Sequence, residues 1–181
     1  SPNIVVGVID TGVEFTHPDL AANIWSAPSA FTVNMAGGSE TCPAGSHGLN
    51  AITLTCIPGD DNGHGTHVSG TIGAVGNNGV GVVGVNWTTR IMGLKFLDSS
   101  GSGSTSDAVD AIDFAIQAKA AFSSTNGANV RVLSNSWGGS GSSSALSQEP
   151  SLRRRSISRS PTAGSRKHAP SSARSSGSLC C

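Results

Sequence analysis

Residues 3–12 read NIVVGVIDTG. Ile4, Val5, Val6, Val8 and Ile9 are β-branched and follow one another without polar alternation. That is the pattern of a strand covered on both faces of a parallel sheet. The run breaks at Asp10-Thr11-Gly12, a carboxylate followed by a turn-forming glycine. Two similar runs lie further on, IMGLKFL at 91–97 and VRVL at 130–133, the second leading into SNSWGG at 134–139. Between them, Ala108, Val109, Ile112, Ala115, Ile116 and Ala120 recur at helical spacing, which predicts a helix over 107–122 with Ser106 as its N-cap. Asp107 and Asp110 suit the positive end of that helix and Lys119 the negative end. A shorter helix is predicted from near His64 through Ile72, with small residues that permit close packing.

Strands alternating with helices predict an α/β fold with a parallel sheet and right-handed crossovers. Ligands of such sheets bind beyond the carboxyl ends of the strands. Asp10, the Gly/Ser-rich residues 99–104 and the stretch 134–139 all follow predicted strands, so three separated segments meet on one rim.

Charge divides the chain. The formal net charge is zero, yet residues 1–147 hold four cations against ten anions, a net −6, and residues 148–181 hold seven cations against one anion, a net +6. The C-terminal 34 residues carry ten serines, with Leu152, Ile157 and Leu179 as their large aliphatics. They cannot bury enough apolar surface to offset the entropy of ordering. The sequence therefore divides into a core-forming part, 1–147, and a Ser/Arg-rich tail, 148–181, expected to be disordered. The Arg/Ser/Pro text after Gln148 is what GC-rich Ala/Gly codons yield in a shifted frame, so a frameshift near codon 148 is the expected origin of the tail. No apolar run approaches the roughly 18 residues of a membrane span. The chain opens on Ser1-Pro2 without a signal peptide and reads as a processed product or a fragment. Cys42 and Cys56 flank a Gly/Pro/Ser-rich stretch, where a disulfide is compatible with an oxidising compartment. Neither lies in a C-x-x-C pair, so their spacing fits no zinc pattern. Cys180 and Cys181 read as free thiols.

The chemistry-bearing residues are sharper. His64-Gly65-Thr66-His67 presents one imidazole on a Gly-flanked turn and another three residues on, behind Asp60-Asp61-Asn62-Gly63. A histidine opposite a buried carboxylate is half of a nucleophilic triad: the carboxylate accepts the Nδ1 proton, and the other nitrogen takes a proton from a serine. VVGVIDTGVEFTHPDL at 5–20, DNGHGTHVSGTIGA at 61–74 and SNSWGG at 134–139 together resemble subtilisin-like serine proteases, in the family's order and over roughly residues 3–147. The resemblance implies a three-layer parallel-sheet domain, cut off after the substrate-binding strand, from a secreted endopeptidase that cleaves extended polypeptides and is made with a propeptide. It implies Asp10 as the orienting carboxylate and His64 as general base. It also implies that Gly101, Ser102 and Gly103 on one side, and Ser136, Trp137 and Gly138 on the other, flank an extended substrate, with Trp137 walling a side-chain pocket or else forming plain core. No cofactor is required for the chemistry. A structural calcium at Asp19 and Asn77 is the one metal implied, since oxygen ligands suit that ion.

The departures from the family pattern are as informative. The chain contains no Gly-Thr-Ser-Met-Ala-type segment, where the nucleophile belongs, and no Ala-rich strand ending in Gly-Asn, where the oxyanion-binding Asn belongs. The chain as it stands is therefore expected to be inactive. His17 and His67 read as structural, and His47 and His168 as solvated. Asp60 and Asp61 read as a solvated charge pair or as acids near the substrate. The rival to a peptidase is a non-catalytic scaffold whose tail, with Arg153-Arg154-Arg155 and Ser158-Arg159-Ser160-Pro161, binds RNA or acidic partners by charge. A tail of frameshift origin is not expected to bind nucleic acid. Filter binding of the chain with and without residues 148–181, at two salt concentrations, is expected to show equal and negligible RNA retention. Salt-sensitive retention by the longer chain alone would establish the rival.

Overall fold

A computed structural model of the chain describes residues 4–139. The tail at 148–181, with His168, Cys180 and Cys181, lies outside the described residues. The elements run β1 (Val5–Asp10), a 3-10 turn (Ala21–Asn23), β2 (Phe31–Met35), β3 (Gly38–Cys42), β4 (Gly48–Asn50), α1 (His64–Gly73), β5 (Arg90–Lys95), α2 (Thr105–Ala121) and β6 (Val130–Asn135).

The α/β expectation holds. Four strands form one sheet in the order β4-β5-β1-β6, every pairing parallel, with Asp10 of β1 beside Lys95 of β5. All six residues of β1 are buried. Its side chains alternate between two cores, as the period of two along a strand demands. Val5 and Ile9 join Met92, Leu94, Phe114, Ala115 and Phe122 on the face that α2 covers. Val6 and Val8 join Val13, Leu20, Ile24 and Ile91 on the other, against Val68 and Ile72 of α1. Helix, sheet and helix thus form three layers, and burying each large aliphatic or aromatic contributes about 1.5–3 kcal/mol.

The close packing of α1 has a visible cause. Gly65, Ser69 and Gly73 fall four residues apart on its buried face. A Cβ at Gly73 would stand 2.7 Å from Thr89 Cγ2, and one at Gly65 only 2.1 Å from the Gly12 carbonyl oxygen. The helix is therefore pressed onto the strand end where Asp10 sits.

Several expectations are corrected. The N-cap of α2 is Ser104 rather than Ser106: its hydroxyl accepts the Asp107 N–H at 3.1 Å, while the Ser106 hydroxyl pairs with that of Ser104. Asp110 is buried and accepts the N–H groups of Ala36 and Gly37 at 3.0 and 3.1 Å, so it docks the β2–β3 turn rather than serving the helix dipole. Gln117 continues that docking with reciprocal hydrogen bonds to the backbone of Asn34. The Gly/Pro/Ser-rich stretch between Cys42 and Cys56 holds a short parallel strand, β4, and an antiparallel hairpin that the sequence reading did not locate, β2–β3, precedes it. β6 is not covered on both faces: among the described residues it pairs with β1 alone, and Val132 is 53% exposed.

Cys42, at the end of β3, is bonded to Cys56, with 5.5 Å between their Cα atoms. The bond ties the hairpin to the segment that leads toward His64. It closes a loop spanning 14 positions, and a loop of that length stabilises by about 3 kcal/mol through the unfolded chain. Replacing both cysteines by serine is expected to lower the unfolding free energy by about 2–4 kcal/mol, read from the shift in the urea midpoint.

Candidate active site

Asp10 ends β1 with a side-chain exposure of 0%. Its carbonyl accepts the N–H groups of Phe96 and Leu97 at 3.0 and 3.3 Å, which holds the start of the next segment against the strand end. Its carboxylate Oδ1 accepts the Thr11 N–H at 2.7 Å and meets His64 Nδ1 at 2.8 Å. With a carboxylate as acceptor, Nδ1 carries the proton and Nε2 is left as the basic nitrogen. The second carboxylate oxygen is buried and meets no hydrogen-bond donor among the described residues. The His64 side chain is 23% exposed, buried toward Asp10 yet open to solvent elsewhere.

His64 is the first residue of α1, and the turn ahead of it is assembled on Asp60. Asp60 Oδ1 accepts the N–H groups of Asn62 and Gly63 at 3.0 and 2.9 Å and the Thr11 hydroxyl at 2.9 Å. Oδ2 accepts the N–H of Thr66 at 2.9 Å and also its hydroxyl. Thr11 Oγ1 in turn accepts the Gly65 N–H at 2.9 Å, closing a circuit between the end of β1 and the start of α1. A carboxylate also complements the positive end of a helix. Gly63 has φ +100°, a backbone state that suits glycine and turns the chain into the helix. Asp60 is thus not simply solvated, whereas Asp61 is exposed. Asp61 Oδ1 lies 2.7 Å from Lys95 Nζ.

The proposed substrate segments have distinct settings. Residues 98–102 turn on Asp98, whose Oδ1 accepts the Ser100 N–H and hydroxyl at 2.8 and 2.7 Å and the Ser102 N–H at 3.1 Å. The Ser100 hydroxyl first, then the two N–H groups, hold the Asp98 carboxyl below its ordinary range. Gly101 is half-buried, and Ser102 and Gly103 are exposed. Ser136 is exposed, Gly138 is exposed, and Trp137 is half-buried with its ring 4.8 Å from that of Phe96. The Phe96–Trp137 contact links the segments after β5 and β6 at the carboxyl edge of the sheet. Asn62 Nδ2 donates to the Ser99 carbonyl at 3.0 Å and so ties the His64 turn to the same edge.

The proposed metal ligands are not brought together. Asp19 is buried, and its two oxygens accept Asn78 Nδ2 and the Val82 N–H, each at 2.8 Å. Those two hydrogen bonds, Asn78 foremost, hold its carboxyl below the ordinary range. Asn77 is exposed, with φ +61°. The asparagine on Asp19 is therefore Asn78, and its Oδ1 accepts the Val80 N–H at 3.1 Å, which turns the amide nitrogen toward the carboxylate. Calcium takes six to eight oxygen ligands. A carboxylate that faces two N–H donors is a hydrogen-bonded latch on the 75–84 loop, and this donor set does not fit the ion. Among the described residues no three His, Cys, Asp or Glu side chains form a cluster that could hold a metal ion.

His47 is not solvated: Nδ1 lies 2.9 Å from the Trp25 carbonyl and its ring packs on Phe15. The structural reading of His17 agrees with its Nδ1 accepting the Asp19 N–H at 3.1 Å. Sequence reading missed Lys95. It is buried at 3% exposure and donates to Thr11 O, Leu97 O and Asp61 Oδ1, each at 2.7 Å. Its signal was a lone lysine inside an apolar strand.

Burial works to raise the Asp60 pKa, but the hydrogen bonds from the Thr66 hydroxyl and from the N–H groups of Gly63, Asn62 and Thr66 outweigh it and hold the group at about 2. The unfolded chain, titrating near 3.8, takes up that proton first. The stability contributed by Asp60 is thus present in full above the unfolded value and is lost as pH falls toward 2. The stability difference between the unchanged chain and Asp60→Asn, followed by urea unfolding, is expected to be flat above about pH 5 and to shrink steadily below that.

Comparison with known proteins supplies the remaining observation. The profile of the Subtilase family matches residues 1–173. Subtilisin-like protease 1 of Plasmodium berghei (strain Anka) is 37% identical over 119 residues, covering 62% of this chain and 19% of that protein. Subtilisin amylosacchariticus of Bacillus subtilis subsp. amylosacchariticus is 34% identical over 144 residues, covering 80% of this chain and 29% of that protein. Among solved structures, Sphericase superposes with a TM-score of 0.55 at 31% identity, over 80% of this chain and 40% of that one. The Aeromonas sobria serine protease, solved in complex with its chaperone, shares the fold at 23% identity and TM-score 0.52, over 83% of this chain and 21% of that one. The chain spans under a third of the length of these two curated relatives. Matched over most of its length, this chain belongs to the Subtilase family.

Proposed function

We propose that residues 4–139 supply the acid–base half of a serine endopeptidase acting on extended polypeptides. The observation that carries this reading is the 2.8 Å contact of His64 Nδ1 with a carboxylate of 0% exposure at the carboxyl edge of a parallel sheet. Asp10 fixes the tautomer, so that His64 Nε2 takes the proton of a serine hydroxyl as it attacks a peptide carbonyl. The same nitrogen then returns that proton to the leaving amine. The Asp10 charge stabilises the imidazolium in between.

The turn at Gly101, Ser102 and Gly103 and the segment Ser136, Trp137 and Gly138 are proposed to hold an extended peptide through its backbone. Their position after β5 and β6 supports this reading. The acid–base steps use the Asp10 carboxylate and the His64 imidazole. A calcium at Asp19, where the donor set does not suit it, has no part in the steps. The Cys42–Cys56 disulfide supports an oxidising destination, and with it secretion. No helix among the described residues is long and apolar enough to cross a membrane. A propeptide partner is proposed from the family alone.

The chain contains neither the nucleophile segment nor the oxyanion Asn segment, so the 181-residue polypeptide by itself is proposed not to turn over. Incubated with a chromogenic peptide, it is expected to show no cleavage and no labelling by a serine-directed phosphonate. Phosphonate-sensitive cleavage would refute this. Joined to the nucleophile-bearing C-terminal half of a Bacillus relative, residues 1–139 are expected to support cleavage that Asp10→Asn lowers by about 10⁴-fold. Cleavage indifferent to Asp10 and His64 would overturn the reading.

A further inference from the structure

Lys95 closes β5 in register with Asp10 on the neighbouring strand. At 3% exposure it is an unusual place for a lysine, a residue seldom fully buried unless paired. An ammonium has three donors and no acceptor. Here each donor meets an acceptor at 2.7 Å, and the three acceptors come from three segments. Thr11 O belongs to the turn that follows Asp10. Asp61 Oδ1 belongs to the turn that precedes His64. Leu97 O opens the segment that leads to Gly101–Gly103. The saturated ammonium is thus a three-way junction, and the segments it joins are those that carry the carboxylate, the imidazole and the proposed substrate turn.

From this geometry we propose that Lys95 is a positioning residue for the Asp10–His64 pair, holding the turn that delivers the imidazole against the strand end that bears the carboxylate. The proposal rests on the reading of Asp10 and His64 as the working pair. A methionine of similar length would fill the volume but leave three acceptors, one of them charged, without their donor. An arginine would not substitute, because its planar fork cannot follow three acceptors arranged around a compact ammonium. Asp61 is the one partner that reaches solvent, at 54% exposure, so it can be altered without disturbing the core.

The test follows the His64 Nδ1 proton by NMR in the full chain, with Asp10→Asn identifying the resonance by its loss. In Lys95→Met the proton is expected to exchange with water roughly tenfold faster, as for the loss of one charged hydrogen bond, while the backbone amides of Val8 and Met92 keep their protection. Asp61→Asn, which keeps an acceptor but removes its charge, is expected to give a smaller acceleration in the same direction, and Lys95→Arg to leave the defect uncorrected. Exchange of the His64 proton within twofold of the unchanged chain in both Lys95→Met and Asp61→Asn would overturn the proposal. So would an acceleration shared equally by Val8 and Met92, which marks a purely structural lysine. Should Lys95→Met not fold, Asp61→Asn decides alone by the same criterion. Absence of a protected Nδ1 proton in the unchanged chain would overturn the Asp10–His64 reading itself, and the positioning role with it.

Discussion

The architecture turns on the burial of one carboxylate. β1 is covered on both faces and flanked on both edges, so its last residue, Asp10, has no route to water. A charge taken out of water must be met by donors, or it neutralises instead. The structure meets it with the Thr11 N–H and the His64 imidazole. The second donor comes from the first residue of a helix 54 positions later in the chain. The helix can approach only because Gly65 has no Cβ to strike the Gly12 carbonyl. The geometry of the pair is thus a consequence of how tightly α1 packs on the strand end.

Two further charges hold that approach in place. Asp60 gathers the backbone N–H groups of the turn and the first helical turn, together with the Thr11 and Thr66 hydroxyls. Lys95 gathers acceptors from the segments around it. One is a carboxylate saturated with donors and the other an ammonium saturated with acceptors, as buried ionic groups must be if they are not to destabilise the fold. The imidazole is 23% exposed while its carboxylate is fully buried. That asymmetry suits a group that must be rigid toward its carboxylate and accessible toward a substrate.

Much of this was legible in the sequence. The apolar runs located β1, β5 and β6 to within one or two residues, and for β1 and β5 the reason is burial on both faces of a parallel sheet, which removes polar alternation. The Gly-flanked His64 motif located the start of α1, because the turn into it needs a glycine at Gly63 and a close approach at Gly65. The β2–β3 hairpin escaped, although Phe31, Val33 and Met35 alternate with Thr32 and Asn34 ahead of Gly37-Gly38. Its period is short, and it docks on α2 through Asp110 and Gln117, residues 73 to 83 positions away. The neutral formal charge was equally uninformative about surfaces, since it sums an acidic core-forming part and a basic tail.

What the sequence determined by itself was local. Periodicity chose the strands and helices, and residue chemistry nominated Asp10 and His64, because both signals depend on near neighbours in the chain. What the tertiary structure decided were the partners: Asn78 on Asp19, Ser104 rather than Ser106 as the cap, Asp61 on Lys95. A hydrogen bond is won by differences of an ångström among competing donors. Those differences are set by packing between segments far apart in the chain, which no window of sequence contains.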